Sequence, residues 1–365
     1  MFEKILIANR GAIACRIERT LKKMGVRSVA VYTKADQDSL HVFHADEAVC
    51  IGDGPAGESY LNAEKILQVA LQTGSQAIHP GYGFLSENAD FARKCAKLGI
   101  AFIGPTPEQI ELFGLKHSAR ALAEKSSVPL PPGTGLLADA AQAVESAARI
   151  GYPVMLKSTA GGGGIGMRVC ADEAELNAAF ESVRHLAGSN FGNSGLFLEK
   201  YVPHARHIEV QIFGSASGEV VAVGERDCSV QRRNQKVMEE TPAPDLPQTV
   251  REDMQAAAVR FAKTAHYRSA GTVEFLYDKD EQRYYFLEVN TRLQVEHGVT
   301  EEVYGIDLVE WMVLEAAGEI GRLAPRIGRP KGHSIQARIY AEDSNAGFLP
   351  CAGRVDGVHF SDEAR

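Results

Sequence analysis

The sequence predicts an α/β domain built on a doubly wound parallel sheet, followed by an α+β unit whose sheet is mostly antiparallel. Three observations predict it. Strand and helix signals alternate through the first hundred residues, the order from which parallel sheets are made. Prolines at 105, 107, 129, 131 and 132 then mark a change of domain. Farther on, strand signals come in hairpin-like pairs.

Taken in order, residues 4–8 (KILIA) form a short apolar run and 11–24 carry a helical pattern. Strands follow at 26–32, 77–79 and 101–103, with helices around 63–71 and 87–98 between them. Ligands of such sheets gather beyond the carboxyl ends of the strands. Asn9-Arg10-Gly11 and His79-Pro80-Gly81-Tyr82-Gly83 fall at such ends. A helix at 115–125 opens the next unit, and from there to about residue 202 the order is helix, strand, glycine loop, strand, helix, strand. Strands at 207–213, 219–223, 272–277 and 284–290 then build the antiparallel part, and a strand-like run at 354–360 ends the chain. The single tryptophan, Trp311, lies in an apolar helical stretch and is expected in the core.

Composition narrows the function. The 365 residues carry a net charge of −8, so there is no basic excess to bind a nucleic-acid backbone. Apolar residues at 45% and charged ones at 24% are those of an ordinary globular protein. No run approaches the length of a membrane helix, and the start lacks a signal-peptide layout. Cys15, Cys50, Cys95, Cys170, Cys228 and Cys351 are scattered, with no C-x-x-C pair. They read as reduced packing residues rather than a disulfide frame or a zinc site, which suggests the cytoplasm.

Residues 161–166 (GGGGIG) follow a strand at 152–157 and precede another strand signal, Met167-Arg168-Val169-Cys170. A dinucleotide fingerprint must open a helix, so that reading fails. A glycine loop between strands can still fold over phosphates, because its N–H groups approach closely. Residues 207–212 alternate strictly, with His207, Glu209 and Gln211 on one face; a solvated strand face would look the same. The polar connection 278–283 makes a hairpin of its two neighbouring strands and sets Glu274 and Glu288 within one residue of direct opposition. Like charges so placed repel. A hard cation such as Mg²⁺ would relieve them, with Asn290 on the same face. Residues 226–236 (RDCSVQRRNQK) carry the donors of an anion site, although a solvated loop is an equal reading. Residues 290–297 (NTRLQVEH) set a guanidinium, an amide and a carboxylate close to that carboxylate pair, suited to binding an oxyanion and moving a proton.

Together these segments resemble the biotin carboxylase component of biotin-dependent carboxylases, an ATP-grasp family. The likeness runs through residues 7–11 (IANRG), 79–88 (HPGYGFLSEN), 161–167, 199–201 (EKY), 226–236, Glu274, 288–297 and 333–343 (HSIQARIYAED). It implies a biotin carboxylase N-terminal domain at 1–114 and an ATP-grasp domain at 115–330, with a lid at about 132–202. The start of a C-terminal domain, truncated here, would occupy 331–365. It further implies that Lys116, Lys157, His207, Gln231, Lys236 and Leu276 contact ATP beneath Gly162, Gly163 and Gly164. Glu199, Lys200 and Val202 would border the adenine, and Glu274, Glu288 and Asn290 would hold Mg²⁺ or Mn²⁺. Arg292, Gln294 and the Val295 backbone would hold bicarbonate, with Glu296 as general base, Lys236 also among the catalytic residues, Arg338 on the biotin enolate and Tyr82 near the biotin ring.

Ile165 and Asn234, with residues 115–120 (LKHSAR), 157–160 (KSTA) and 308–312 (LVEWM), resemble the urea carboxylase branch, including urea amidolyase. That branch implies carboxylation of urea, with biotin carried on a separate domain and a carboxyltransferase domain on the same polypeptide. A homo-oligomer is compatible with it. An acyl-CoA or pyruvate carboxylase and a nucleotide-binding module without turnover remain the alternative readings.

Overall fold

The computed structural model describes residues 1–159, 166–192, 194–351, 353 and 357. The first strands are β1 (Lys4–Ile7), β2 (Arg27–Tyr32), β3 (Glu47–Cys50), β4 (Ala77–His79) and β5 (Ala101–Phe102). They form one parallel sheet in the order β3-β2-β1-β4-β5. Four helices accompany it: α1 (Gly11–Met24), α2 (Leu40–His44), α3 (Ala63–Thr73) and α4 (Ala89–Lys97). Because β1 is central, its alternate side chains enter two cores. Leu6 packs with Val29, Val31 and Ile66, whereas Ile5 and Ile7 pack with Ile13, Ile17 and, from far along the chain, Trp311. The expected strand ends are where the glycine motifs lie, and Asn9 knits them together by donating to the carbonyls of Pro80 and Tyr82, both at 2.8 Å. The short α2 and β3 have no counterpart in the sequence reading.

Next come α5 (Pro107–Gly114), capped by Thr106, and α6 (Lys116–Lys125). A smaller layer follows, with α7 (Ala140–Ile150) and α8 (Glu173–Phe191) packed on the antiparallel sheet β7-β6-β8. Its strands are β6 (Val154–Ser158), β7 (Met167–Cys170) and β8 (Leu196–Lys200). The loop between β6 and β7, and with it Gly162, Gly163 and Gly164, lies outside the described residues.

The main sheet has the order β13-β12-β9-β10-β11-β14 and is antiparallel throughout. It consists of β9 (Ala205–Gly214), β10 (Val220–Arg232), β11 (Gln235–Thr241), β12 (Ser269–Asp278), β13 (Arg283–Asn290) and β14 (Ser334–Ala337). Helix α9 (Gln248–Thr264) covers one face, where Ile208, Val210 and Ile212 meet Phe261 and Phe275. The opposite face of β9 is not solvated, because Glu209 and Gln211 are completely buried. Residues 226–236 are likewise no solvated loop. They are the end of β10, a turn at Arg233 and Asn234 (φ 51° and 64°) and the start of β11. After β13 come α10 (His297–Tyr304) and α11 (Leu308–Ala316), which carries the buried Trp311. A small ribbon, β15 (Glu342–Asp343) with β16 (Leu349–Pro350), follows β14. Most of the strand expected at 354–360 falls outside the described residues.

Candidate active site

The polar face of the main sheet is the floor of the site. Strand register sets Arg226, Glu209, Glu274 and Glu288 side by side across β10, β9, β12 and β13. Glu288 reaches this row through a bulge. From the turn up to Phe286 the hairpin is in simple register, Phe286 opposing Phe275; Leu287 is then the extra residue, and Glu288 opposes Glu274. Tyr284 and Phe286 point into the core beneath the sheet. Side chains alternate along a strand, so without the extra residue Glu288 would follow them.

Three carboxylates in a row require positive charge. Lys236 supplies it from β11, its Nζ lying 2.5 Å from Glu209, 2.8 Å from Glu274 and 2.7 Å from Glu296. The Arg226 guanidinium is wholly buried, pairs with Glu209 and donates to Gln211 at 2.8 Å and Thr300 at 2.9 Å. It braces the row from behind and is not the anion donor that its place in a basic cluster suggested. His207 Nε2 lies 3.0 Å from Glu274. Burial alone would push the Glu274 carboxyl up, but Lys236 and His207 hold it well below the usual carboxylate range. Glu288 shifts the other way: burial raises it and the neighbouring Glu274 raises it further. Within the pair the ionised form is therefore favoured at Glu274 and disfavoured at Glu288.

Beyond this row lies a second group. Glu296 immediately precedes α10 and is completely buried, held between Lys236 and Arg338 Nη2 at 2.9 Å. Arg338 follows directly on β14, and its Nε donates to Glu239 at 2.6 Å. Arg292 donates to Gln294 at 2.8 Å, Asn290 at 3.0 Å and Glu87 at 2.9 Å. Glu87 also accepts from the Thr291 N–H at 3.1 Å, so the first domain holds this segment in place. The Asn290 amide donates to Glu274 at 2.8 Å.

At the other end, Lys157 and Arg120 both pair with Glu199. Lys200 donates to the carbonyls of Gly151 at 2.8 Å and Tyr152 at 3.0 Å. Lys116 opens α6, and desolvation pushes its ammonium down although Glu288 opposes the shift. A cavity of about 690 Å³ joins the two ends. It is lined by every residue expected at the site except Glu296, Tyr82 and the three undescribed glycines. Glu296 lies just behind the wall, gripped by two lining residues. Tyr82 is half-buried; burial raises its phenol most, and Arg338, Glu296 and Arg292 act on it next. Sequence reasoning assigned no role to Glu209, Glu87, Arg120 or Glu239. The alternation in 207–212 was the one signal available for Glu209.

An arrangement of clustered carboxylates, a base between two cations and a long basic cavity suits metal-assisted phosphoryl transfer to an oxyanion. Comparison with known proteins agrees. Residues 1–110 match the biotin carboxylase N-terminal domain family. Residues 116–322 match the ATP-binding domain family of the carbamoyl-phosphate synthase L chain. The chain is 54% identical over 356 residues to the biotin carboxylase of Halalkalibacterium halodurans, covering 97% of this chain and 78% of that one. It is 52% identical over 364 residues to the urea amidolyase of Lachancea kluyveri, covering all of this chain but 20% of that protein. The alpha subunit of Glycine max mitochondrial methylcrotonoyl-CoA carboxylase is 50% identical over 358 residues, covering 98% of this chain and 49% of that one. Among solved structures, the biotin carboxylase domain dimer of Hydrogenobacter thermophilus 2-oxoglutarate carboxylase, in complex with MgADP, ADP and bicarbonate, superposes with a TM-score of 0.91 at 48% identity. That match covers 96% of this chain and 77% of that one.

Proposed function

The chain belongs to the biotin carboxylase family of ligases, and from that premise we propose that it carboxylates carrier-borne biotin with ATP and bicarbonate as part of a urea carboxylase. The observation that carries the chemistry is Glu296, buried between Lys236 and Arg338 and four residues after Arg292. A carboxylate placed there lies within reach of an acid bound beside Arg292 and can act as a base toward it. In this reading Arg292, Gln294 and the Val295 backbone hold bicarbonate, and Glu296 removes its proton. The resulting oxyanion attacks the γ-phosphate of ATP, giving carboxyphosphate and ADP. Carboxyphosphate breaks to CO₂ and phosphate, the phosphate takes the biotin N1′ proton, Arg338 stabilises the enolate so formed, and N1′ attacks the CO₂ to give carboxybiotin.

Lys116, Lys157, His207, Gln231, Leu276 and the hinge at Glu199, Lys200 and Val202 are assigned to the nucleotide because they line the same cavity. Glu274, Glu288 and Asn290 would hold Mg²⁺. The fit rests on the direct opposition of Glu274 and Glu288, with burial and then the Glu274 charge raising Glu288. A bound Mg²⁺ would neutralise charge on the phosphates. Tyr82 is assigned to the biotin ring by its electrostatic neighbours Arg338 and Arg292.

The urea branch is supported by Ile165, Asn234 and the motifs around them, together with the likeness to urea amidolyase. The near-equal likeness to methylcrotonoyl-CoA carboxylase favours an acyl-CoA acceptor as the second reading. The test uses the full-length protein with ATP and bicarbonate, comparing ADP release with urea and with acyl-CoA thioesters. Urea-stimulated release supports the proposal. Stimulation by an acyl-CoA alone overturns the urea assignment, and release unaffected by bicarbonate or by loss of biotin overturns the carboxylase assignment.

A further inference from the structure

Outside the cavity, on the first domain, three side chains of different chemistry converge. Cys15 and Glu18 are one turn apart on α1, and His44 ends α2, which packs on α1. A thiol sulfur, a carboxylate oxygen and a ring nitrogen from these residues all lie within 4.8 Å of one another. Glu18 is 5% exposed, yet neither of its carboxylate oxygens has a hydrogen-bond partner among the described residues. A carboxylate in that position is costly unless a proton or a cation neutralises it. The charged side chain that acts on it is Asp46, of the same sign. His44 is exposed and leaves a path for an ion from solvent.

We propose that Cys15, Glu18 and His44 bind Zn²⁺, with solvent in the fourth position. The donor set decides the metal. Sulfur, nitrogen and oxygen together suit Zn²⁺, whereas Mg²⁺ takes oxygen and does not seek a thiol. Tetrahedral zinc at ordinary bond lengths sets its ligand atoms about 3.5 Å apart. The three donor atoms are at most 4.8 Å apart, so closing to that separation is a shift of about 1 Å. The ion would pin α2 to α1. That helix exposes Leu40 at 65% and Phe43 at 68%, so its apolar packing alone holds it weakly. The site is separate from the carboxylate row and independent of the function proposed above.

Cobalt(II) is the probe, because a thiolate–cobalt bond gives a near-ultraviolet charge-transfer band. A second cluster, Glu209, Cys228 and Glu296, also contains a thiol and must be told apart. The metal-free chain is titrated with Co²⁺ and then displaced by Zn²⁺, in parallel with Cys15→Ser, Glu18→Gln, His44→Ala and Cys228→Ser. The expected result is a band in the parent chain that is kept in Cys228→Ser and lost in Cys15→Ser. Zn²⁺ affinity should fall in Glu18→Gln and His44→Ala by at least the about 10–100-fold that lesser changes around a metal cause. Thermal unfolding in chelator should be alike for Cys15→Ser and the parent chain, which shows that the variant folds. A parent chain without the band, a band that survives Cys15→Ser, or affinity unmoved by both Glu18→Gln and His44→Ala overturns the site.

Discussion

Glu288 is set against Glu274 with no cation of the chain paired to it among the described residues, so its charge opposes folding; in the proposed function that charge holds Mg²⁺. Replacing it should separate the two effects. Glu288→Gln should leave the thermal midpoint unchanged or raised, since a repulsion is removed, while ATP turnover falls by at least about 10²-fold, the scale of losing one electrostatic stabiliser. Loss of turnover together with loss of fold would show that the carboxylate is structural. Glu296 and Arg338 touch at 2.9 Å yet should act at different steps. Glu296→Ala should lower both bicarbonate-dependent ADP release and biotin carboxylation. Arg338→Ala should spare part of the first and lose about 10²–10³-fold of the second, as expected for a donor aimed at a developing oxyanion. Equal loss of both activities in Arg338→Ala, measured in full-length protein, would contradict the separate roles.

Among the elements, what was legible in the sequence was local. The alternation at 207–212 and the hairpin about 278–283 each express a period of two, and all three strands form, with Glu274 opposite Glu288. Strand β11 and the end of β10 were not legible, because their polar residues answer distant partners. Arg226 can sit in the interior only where Glu209, Gln211 and Thr300 meet it, and none of these is near it in sequence. The short α2 and β3 are held by the parallel sheet rather than by patterns of their own. A different constraint acts at Gly214, the last residue of β9. A Cβ there would lie 1.8 Å from the Tyr267 carbonyl oxygen, and backbone cannot swing aside. Gly214→Ala should therefore destabilise by at least the about 1–3 kcal/mol typical of overpacking, read as a lower urea midpoint.

At the scale of the whole molecule, the first domain is joined to the segments that follow the main sheet through ion pairs. Arg16 of α1 reaches Glu301 at 2.8 Å and Asp307 at 2.9 Å, and Glu87 holds Arg292. Near this junction His79 is completely buried, and burial, then His297 and Arg16, lower its imidazole to about 3. The unfolded chain takes up that proton near pH 6.5 and the native protein does not. Stability should therefore be fully present above about pH 6.5 and be lost as pH falls toward about 3, with a slope up to about 1.4 kcal/mol per pH unit from this group. His79→Asn should flatten the acid limb of the thermal midpoint against pH. An unchanged limb would place the acid sensitivity elsewhere.

The extra residue at Leu287 carries a consequence for how this stretch can vary over generations. Insertions in surface turns are usually harmless, yet here the count of residues between Phe286 and Glu288 is itself the information that sends Phe286 into the core and Glu288 to the opposite face, beside Glu274. A single-codon deletion at 287 would alter no residue assigned to chemistry. It should nevertheless either turn Glu288 into the apolar interior or expel Phe286 from it. Deletion of Leu287 should thus silence ATP turnover as thoroughly as Glu288→Gln while also lowering the unfolding temperature. Leu287→Ala, which keeps the count, should retain most activity. Drift in length is forbidden where drift in identity is allowed.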